Sequence, residues 1–409
     1  MSDRLGMKVV VVGAGVVGSA VAYRLGQLGA SVTIVDRAFP GAGTSGATFS
    51  WLNSFDKRPR AYHLLNLMGM AEHRALAAEL DLSDCVHFDG ALMWERVDAN
   101  ARQVAPTVVT GHAGFVGGVA GDLTTELATN GLASRIESCR RLGYLIEELT
   151  PQEARSLESE IDFGSGDVPV VYSMPNEGWI DARGVAYRLA AAAVDRYRAE
   201  LMLGKVVVRV DPRDGSGADV VLSDGARIAC DVAINAAGPE SGRLAAASGV
   251  ALPVERSLGV MFVTSSAPVR LRHVVHAPGV TMRPDGATRV MARVARFDSQ
   301  VDEGRPWSCA DSRCSEVIAA ASTVLPNLRY VSIESVRVGV RSIPGDGVSI
   351  VGTASGSPHL YHVITHSGAT LGPVLGRLVA SDLLLGAPPE LASFRPDRFA
   401  DSGTASGSR

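Results

Sequence analysis

Apolar side chains follow two different periods along this chain, and the switches between them divide it into elements. Lys8 to Val12 (KVVVV) is a β-branched run that packs well on a pleated surface, so it reads as a buried strand. SAVAYRLGQLG behind it has helical spacing, and SVTIVD then reads as a second strand. PRAYHLLNLMGMAEHRALAAEL and DARGVAYRLAAAAVDRYRAEL repeat the helical period and predict long amphipathic helices. On the first of these, His63 and His73 are expected to be solvated or capping rather than metal ligands. ESCRRLGYLIEELTPQEARSLES carries helix signals, with Thr150, Pro151 and Glu153 forming a capping box. THSGATLGPVLGRLVASDLLL predicts a closing helix that starts at Ser367 and Gly368.

The remaining apolar blocks are strand-like. VHFDGALMW predicts two short strands around Asp89 and Gly90, and DVPVVYSMPNEGWID a single strand. LMLGKVVVRVD and ADVVLSDGARIACDVAINAAG predict strands with a turn at Asp224 and Gly225. VTMRPDGATRVMARV predicts a hairpin turning at Pro284, Asp285 and Gly286. In RYVSIESVRVGVRSIPGDGVSIVG, Arg337 and Arg341 stand four residues apart and share a face of a regular strand. The stretch from Ala99 to Ser134 has no clear period and reads equally as a lid or an inserted loop. Residues 399–409 are low in complexity and predict a disordered tail.

Composition narrows the class. A chain of 409 residues exceeds the size at which one core keeps growing, so two domains are expected. A formal net charge of -4, with no basic block, points away from nucleic acid and anionic membranes. The five cysteines have no CxxC spacing and read as buried or idle thiols, with Cys309 and Cys314 as the pair able to meet in a loop. There is no run of eighteen apolar residues and no signal-peptide pattern, so the expectation is a cytoplasmic protein without a membrane span. No metal site is expected.

Chemistry enters with the glycines. Gly13, Gly15 and Gly18 stand between the first strand and its helix, with Ala14, Val16 and Val17 interleaved, and Asp36 closes the second strand. The first glycine permits a tight turn, the second a close approach to a pyrophosphate, the third close helix–strand packing. The helix N-terminus faces the phosphates and the acid accepts ribose hydroxyls. Ala22 and Gly29 extend the pattern at a spacing closer to the FAD than to the NAD fingerprint. Small hydroxyl residues in RAFPGAGTSGATFSW (Thr44, Ser45, Thr48) suit a loop lying on a cofactor, and Trp51 and Phe49 are candidates for a pocket wall.

Three features in order resemble the FAD-dependent amino-acid and amine oxidase superfamily of the D-amino-acid oxidase, glycine oxidase and sarcosine oxidase type. They are VVVVGAGVVG with its GTSGATFSW loop, the strand ending INAAGP, and VGVRSIPGDGVSIVG followed by THSGATLGP. The resemblance runs from Lys8 to about Pro396. It implies an α/β fold in which a Rossmann-like FAD-binding domain (residues 1–84, 177–250 and 330–398) interleaves with an antiparallel-sheet α+β substrate domain (residues 85–176 and 251–329). It also implies that Arg341 grips a substrate carboxylate, that the backbone at Val207 meets the adenine, and that Ala237 and Gly238 form the second flavin-proximal loop. Arg37, Thr370 and Leu371 join the cofactor set, Gly368 opens a helix toward the flavin, and His366 is a candidate catalytic residue.

No second GxGxxG is present for NADPH, so electrons are expected from the substrate itself. The implied reaction is oxidation of a C–N bond of a small amino acid or N-substituted glycine by hydride transfer to flavin N5. An imine forms and water converts it to an oxo acid and an amine. The loop lacks the histidine, and the C-terminal block the cysteine, that would tether flavin, so FAD is expected to be non-covalent. O2 or another carrier takes the electrons. The alternatives are amine oxidation in a specialised pathway and a non-catalytic flavin-binding subunit.

Overall fold

β1 (Lys8–Val12) and β2 (Ser31–Asp36) flank α1 (Val16–Gln27), as the apolar pattern requires, in a computed structural model that describes residues 6–95, 131–164, 168, 170–213, 216–303 and 307–404. Next come β3 (Trp51–Leu52), α2 (Arg60–Leu80), β4 (Val86–His87) and β5 (Ala91–Met93). After residue 130 follow α3 (Leu132–Arg141), β6 (Glu147–Leu149), α4 (Pro151–Leu157), β7 (Val171–Met174), β8 (Gly178–Ile180) and α5 (Ala182–Tyr197). β9 (Glu200–Leu203), β10 (Val207–Pro212), β11 (Ala218–Leu222), β12 (Arg227–Cys230), β13 (Val232–Asn235) and α6 (Ser241–Ala247) precede a run of strands. That run is β14 (Val254–Thr264), β15 (Val274–Ala277), β16 (Val280–Pro284) and β17 (Val290–Arg293). α7 (Ser312–Ser322), β18 (Ile333–Pro344), β19 (Ile350–Thr353), β20 (Leu360–Ile364) and α8 (Gly368–Leu384) complete the order.

Two large sheets organise these elements. The first has the order β19-β20-β13-β1-β2-β9 and is parallel except for its β19–β20 edge. β1 is buried on both faces, which is why it reads as an unbroken apolar run. Val9 and Val11 face a core built with α1, α2, α5 and α8, while Val10 and Val12 face the β10-β11-β12 sheet. α1 and α8 pack closely because α8 offers glycines: a Cβ at Gly376 would lie 2.6 Å from the Ala20 carbonyl oxygen.

The second large sheet has the order β18-β14-β17-β16-β15-β5-β7-β6 and is antiparallel apart from the β15–β5 pair. Its two faces differ. Val260, Phe262, Met282 and Ala292 pack on Phe297, Val317 and Leu328 in a second core. Gly259, Met261, Thr281 and Arg293, the alternate residues, turn toward a cleft. β3, β8 and β4 form a small sheet.

Several expectations change. β4 and β5 flank Asp89 and Gly90 as short strands but join different sheets. DVPVVYSMPNEGWID supplies two strands, β7 and β8, since the Glu177 N–H closes a turn onto the Met174 carbonyl between them. β18, grouped by the family resemblance with the FAD-binding part, pairs along its length with β14, so it lies in the second sheet. The capping box at Thr150 and Glu153 forms. His63 and His73 are buried rather than solvated: His63 Nδ1 meets Ser54 Oγ at 2.8 Å, and His73 Nε2 meets the Ala369 carbonyl at 2.7 Å, tying α2 to the start of α8. A 3-10 segment, Pro396–Thr404, enters the tail expected to be disordered. The stretch of unassigned role lies outside the described residues up to residue 130, and Leu132 begins α3.

Candidate active site

Two helix N-termini open side by side onto one cleft. Gly15 is the N-cap of α1 and Ser367 that of α8, and neither supplies a side-chain cap. A Cβ at Gly368 would sit 3.4 Å from Val17 Cγ2, which measures how close the two ends come. Their unpaired N–H groups and dipoles favour electron-rich ligand atoms. The cleft encloses about 1240 Å³ of empty space, its open mouth included, and Gly15, Val16, Val17, Gly238, Gly368 and Thr370 are among its walls.

The glycine turn is constrained by contact. Gly13 has φ +106°, and a Cβ there would overlap the Ala236 carbonyl oxygen. A Cβ on Gly18 would overlap the Gly13 carbonyl oxygen, so the third glycine serves the turn itself as well as the helix packing. Asp36 accepts from Ala14 N at 2.7 Å and from Ala38 N at 2.8 Å. It thereby stitches the end of β2 to the turn, and each oxygen keeps a lone pair for a hydroxyl. The turn is thereby a rigid backbone concavity at the start of α1.

The loop hydroxyls already have protein partners. Ser45 Oγ accepts from Val16 N at 3.1 Å, Thr44 Oγ1 donates to the Val340 carbonyl at 2.5 Å, and Thr48 Oγ1 accepts from Ser50 N at 3.3 Å. All three line the cleft. Thr370 also lines it, with its hydroxyl donating to the Trp51 carbonyl at 3.2 Å. Gly13, Ala14, Gly18 and Asp36 stand behind the wall, and Ala237 sits between lining residues Ala236 and Gly238. Three expected residues lie away from the cleft: Arg37 is exposed, Val207 is half-buried on β10, and the Leu371 side chain is fully buried in the core. The Leu371 N–H is taken too, donating to the Ser367 carbonyl at 2.9 Å.

The second sheet supplies the charged floor. Arg341 lines the cleft, and its Nη2 donates to Ser257 Oγ at 2.9 Å and to the Leu258 carbonyl at 2.7 Å. Asp298 lies 3.5 Å away and also pairs with Arg293 at 2.5 Å. Arg341 Nε is buried without a hydrogen-bond partner. Arg337 does not line the cleft; it pairs with Asp285 at 3.2 Å. His366 lines the wall, where burial, with the Lys57 and Arg341 charges adding to it, holds the imidazole well below its usual value, hence neutral.

Sequence reasoning misses three residues here. Lys57 is buried, lines the cleft and donates from Nζ to Ser367 Oγ at 3.2 Å, and burial lowers its ammonium to about 8. Glu177 is fully buried, accepts from Trp51 Nε1 at 2.7 Å and from the Tyr144 hydroxyl, and is pushed up to about 8 by burial. Trp51 therefore lines the cleft with its indole N–H already engaged. His276 on β15 also lines the cleft, in a strand otherwise apolar, and a polar residue in such a run is the one available signal.

The family whose sequence pattern matches residues 8–381 is described as FAD dependent oxidoreductase. This chain belongs to that family. The oxidoreductase is 22% identical over 400 residues to a subunit of opine oxidase from Agrobacterium tumefaciens (strain Ach5), covering 95% of this chain and 96% of that one. Its structure is similar to that of glycine oxidase from Geobacillus kaustophilus, with a TM-score of 0.77, 22% identity, and 96% and 99% of the two chains covered. Iminodiacetate oxidase from Chelativorans sp. BNC1 is similar too, with a TM-score of 0.73, 24% identity and coverage of 95% and 98%. FAD is thus the cofactor, and the α/β fold with its Rossmann-like sheet is the family's. Among the described residues, no His, Cys, Asp and Glu cluster suits a metal, and no single helix is long and apolar enough to cross a membrane.

Proposed function

We propose that this FAD-dependent oxidoreductase oxidises the C–N bond of a small amino acid or N-substituted glycine. The carbon loses a hydride and the nitrogen a proton, and water hydrolyses the resulting imine to an oxo acid and an amine. Arg341 carries the reading: a guanidinium on the cleft floor whose buried Nε lacks a partner is suited to a carboxylate. The names of the similar proteins (glycine, iminodiacetate and opine oxidases) support an amino acid or amine as the substrate.

FAD, when bound, supplies the two-electron acceptor. The turn from Gly13 to Gly18 and the start of α1 would hold its pyrophosphate, with Thr44, Ser45 and Thr48 alongside and Asp36 at the ribose. The backbone at Val207 would meet the adenine, and Ala237, Gly238, Gly368, Thr370 and Leu371 would bound the ring system. FAD would be held non-covalently, since the GATFSW loop has no histidine and the block before the last helix no cysteine. Arg341 and Trp51 orient the substrate, and neutral His366 accepts a hydrogen bond from its amine. Electrons then pass to O2 or another carrier. Similarity to one subunit of opine oxidase favours a second reading, in which the chain works within a larger oxidase; co-purification of a partner from its native source tests that.

The direct test is anaerobic mixing of the yellow holoenzyme with amino acids and N-alkyl glycines. At least one should bleach the flavin, and a panel that leaves it oxidised while NADPH reduces it would end this reading. Arg341→Ala should raise the KM for the active carboxylate about a hundredfold, as expected for loss of a charge-assisted pair worth roughly 3 kcal/mol. An unchanged KM would remove the clamp.

A further inference from the structure

Beyond Arg341, the cleft floor carries a second polar group with no protein partner. His276 is 1% exposed, and neither of its ring nitrogens has a hydrogen-bond partner. It lines the same cleft, its ring centroid 4.1 Å from that of Trp51 and 6.4 Å from that of Phe49. A polar ring placed against two aromatic walls with both nitrogens empty is expensive, since each buried unsatisfied group costs free energy that a ligand can return.

The sheet register says where this group lies relative to the clamp. Thr281 pairs with His276 on one side and with Arg293 on the other, so the three side chains form one cross-strand row on the cleft face. Arg293 shares Asp298 with Arg341. Arg293 and His276 are therefore two strands apart, roughly 10 Å at ~4.8 Å per strand, and Arg341, on β18 two strands further out, reaches the Arg293 end of the row through Asp298. A carboxylate on Arg341 leaves the remainder of the ligand free to extend along the row toward His276.

We propose that His276 is a specificity-determining residue that binds a hydroxyl or carboxamide at the end of the substrate opposite its carboxylate. This inference rests on the carboxylate reading of Arg341. The chemistry follows from the imidazole's inventory: in its neutral form one nitrogen donates and the other accepts. A hydroxyl or primary amide also does both, whereas a second carboxylate only accepts and an alkyl end does neither. Burial, with Arg135 and then Arg293 adding to it, lowers the imidazole to about 3 and supports the neutral form.

The test uses holoenzyme and matched non-reacting acids: butanoate, pentanoate and hexanoate, each against its terminal hydroxy counterpart. Binding is read from the perturbation of the flavin absorbance. At one chain length the hydroxy acid should bind at least about tenfold more tightly, and in His276→Phe the ratio should fall to about one. His276→Gln, which keeps a donor and an acceptor, should retain part of the preference and serves if the Phe variant loses its flavin. No preference at any length, or one that survives in His276→Phe, overturns the proposal and leaves the imidazole satisfied by water. If no acid binds, or Arg341→Ala binds them all unchanged, the carboxylate reading itself has failed, a result distinct from loss of the hydroxy preference alone.

Discussion

The glycine cradle on the parallel sheet and the floor on the antiparallel sheet solve different problems with different materials. In the cradle the decisive contacts are backbone to backbone: Gly13 against the Ala236 carbonyl, Gly18 against that of Gly13, Asp36 on two N–H groups. Most polar side chains there already have protein partners. On the floor the decisive atoms are side-chain atoms, and Arg341 Nε and both nitrogens of His276 have none. A Cβ added to the backbone cradle meets a carbonyl, whereas a side chain on the floor can be exchanged without moving the backbone.

The largest effect that sharpens this contrast is expected at Gly13. Gly13→Ala adds a Cβ at positive φ against a carbonyl oxygen, so roughly 3 kcal/mol or more of stability should be lost, together with flavin. A yellow protein with an unchanged melting temperature would show that the cradle is not sterically fixed.

Next comes the buried charge between the two regions. Burial raises Glu177 from 4.5 to about 8, so across that window the folded chain keeps a proton that the unfolded chain has released. Stability should fall as pH rises through the window. Lys57 is lowered from 10.5 to about 8, so above that pH the unfolded chain holds the extra proton and stability recovers. The holoenzyme's melting temperature should dip near pH 8, with a loss on the order of a few kcal/mol. Glu177→Gln should flatten the acid side of the dip; a dip of unchanged depth would refute the assignment.

Arg337 gives the smallest effect. It shares a strand face with Arg341 but pairs with Asp285 outside the cleft, at an exposure where ion pairs contribute little. Arg337→Ala should cost less than about 1 kcal/mol and leave KM within about twofold. A large rise in KM would erase the distinction between the two arginines.

Sequence reasoning reaches the cradle further than the floor. KVVVV, the three glycines and Asp36 are contiguous or nearly so, and their geometry is local. Arg341 is legible because it lies in a distinctive block, yet Arg337, at equal periodicity, is set apart from it by its pairing with Asp285 in the β16–β17 turn. Lys57 stands just before the predicted helix that begins at Pro59, and Glu177 sits in what reads as one strand, so neither signals that the two come close enough to feel each other's charge. The family resemblance groups residues 330–398 with the FAD-binding part, but a strand's sequence does not say which partner covers β18. The antiparallel register with β14 decides that.

By itself the sequence determined the dinucleotide turn, the helix starts at Thr150 and Ser367 and the main alternation of strands and helices, because these depend on residues close in the chain. Tertiary structure alone decided that the start of α8 stands beside that of α1, and that Arg293 and Arg341 meet at one carboxylate, Asp298. Those contacts join elements far apart in the chain, and no local propensity encodes them. The polar atoms left unpaired there are visible only once every neighbour is in place.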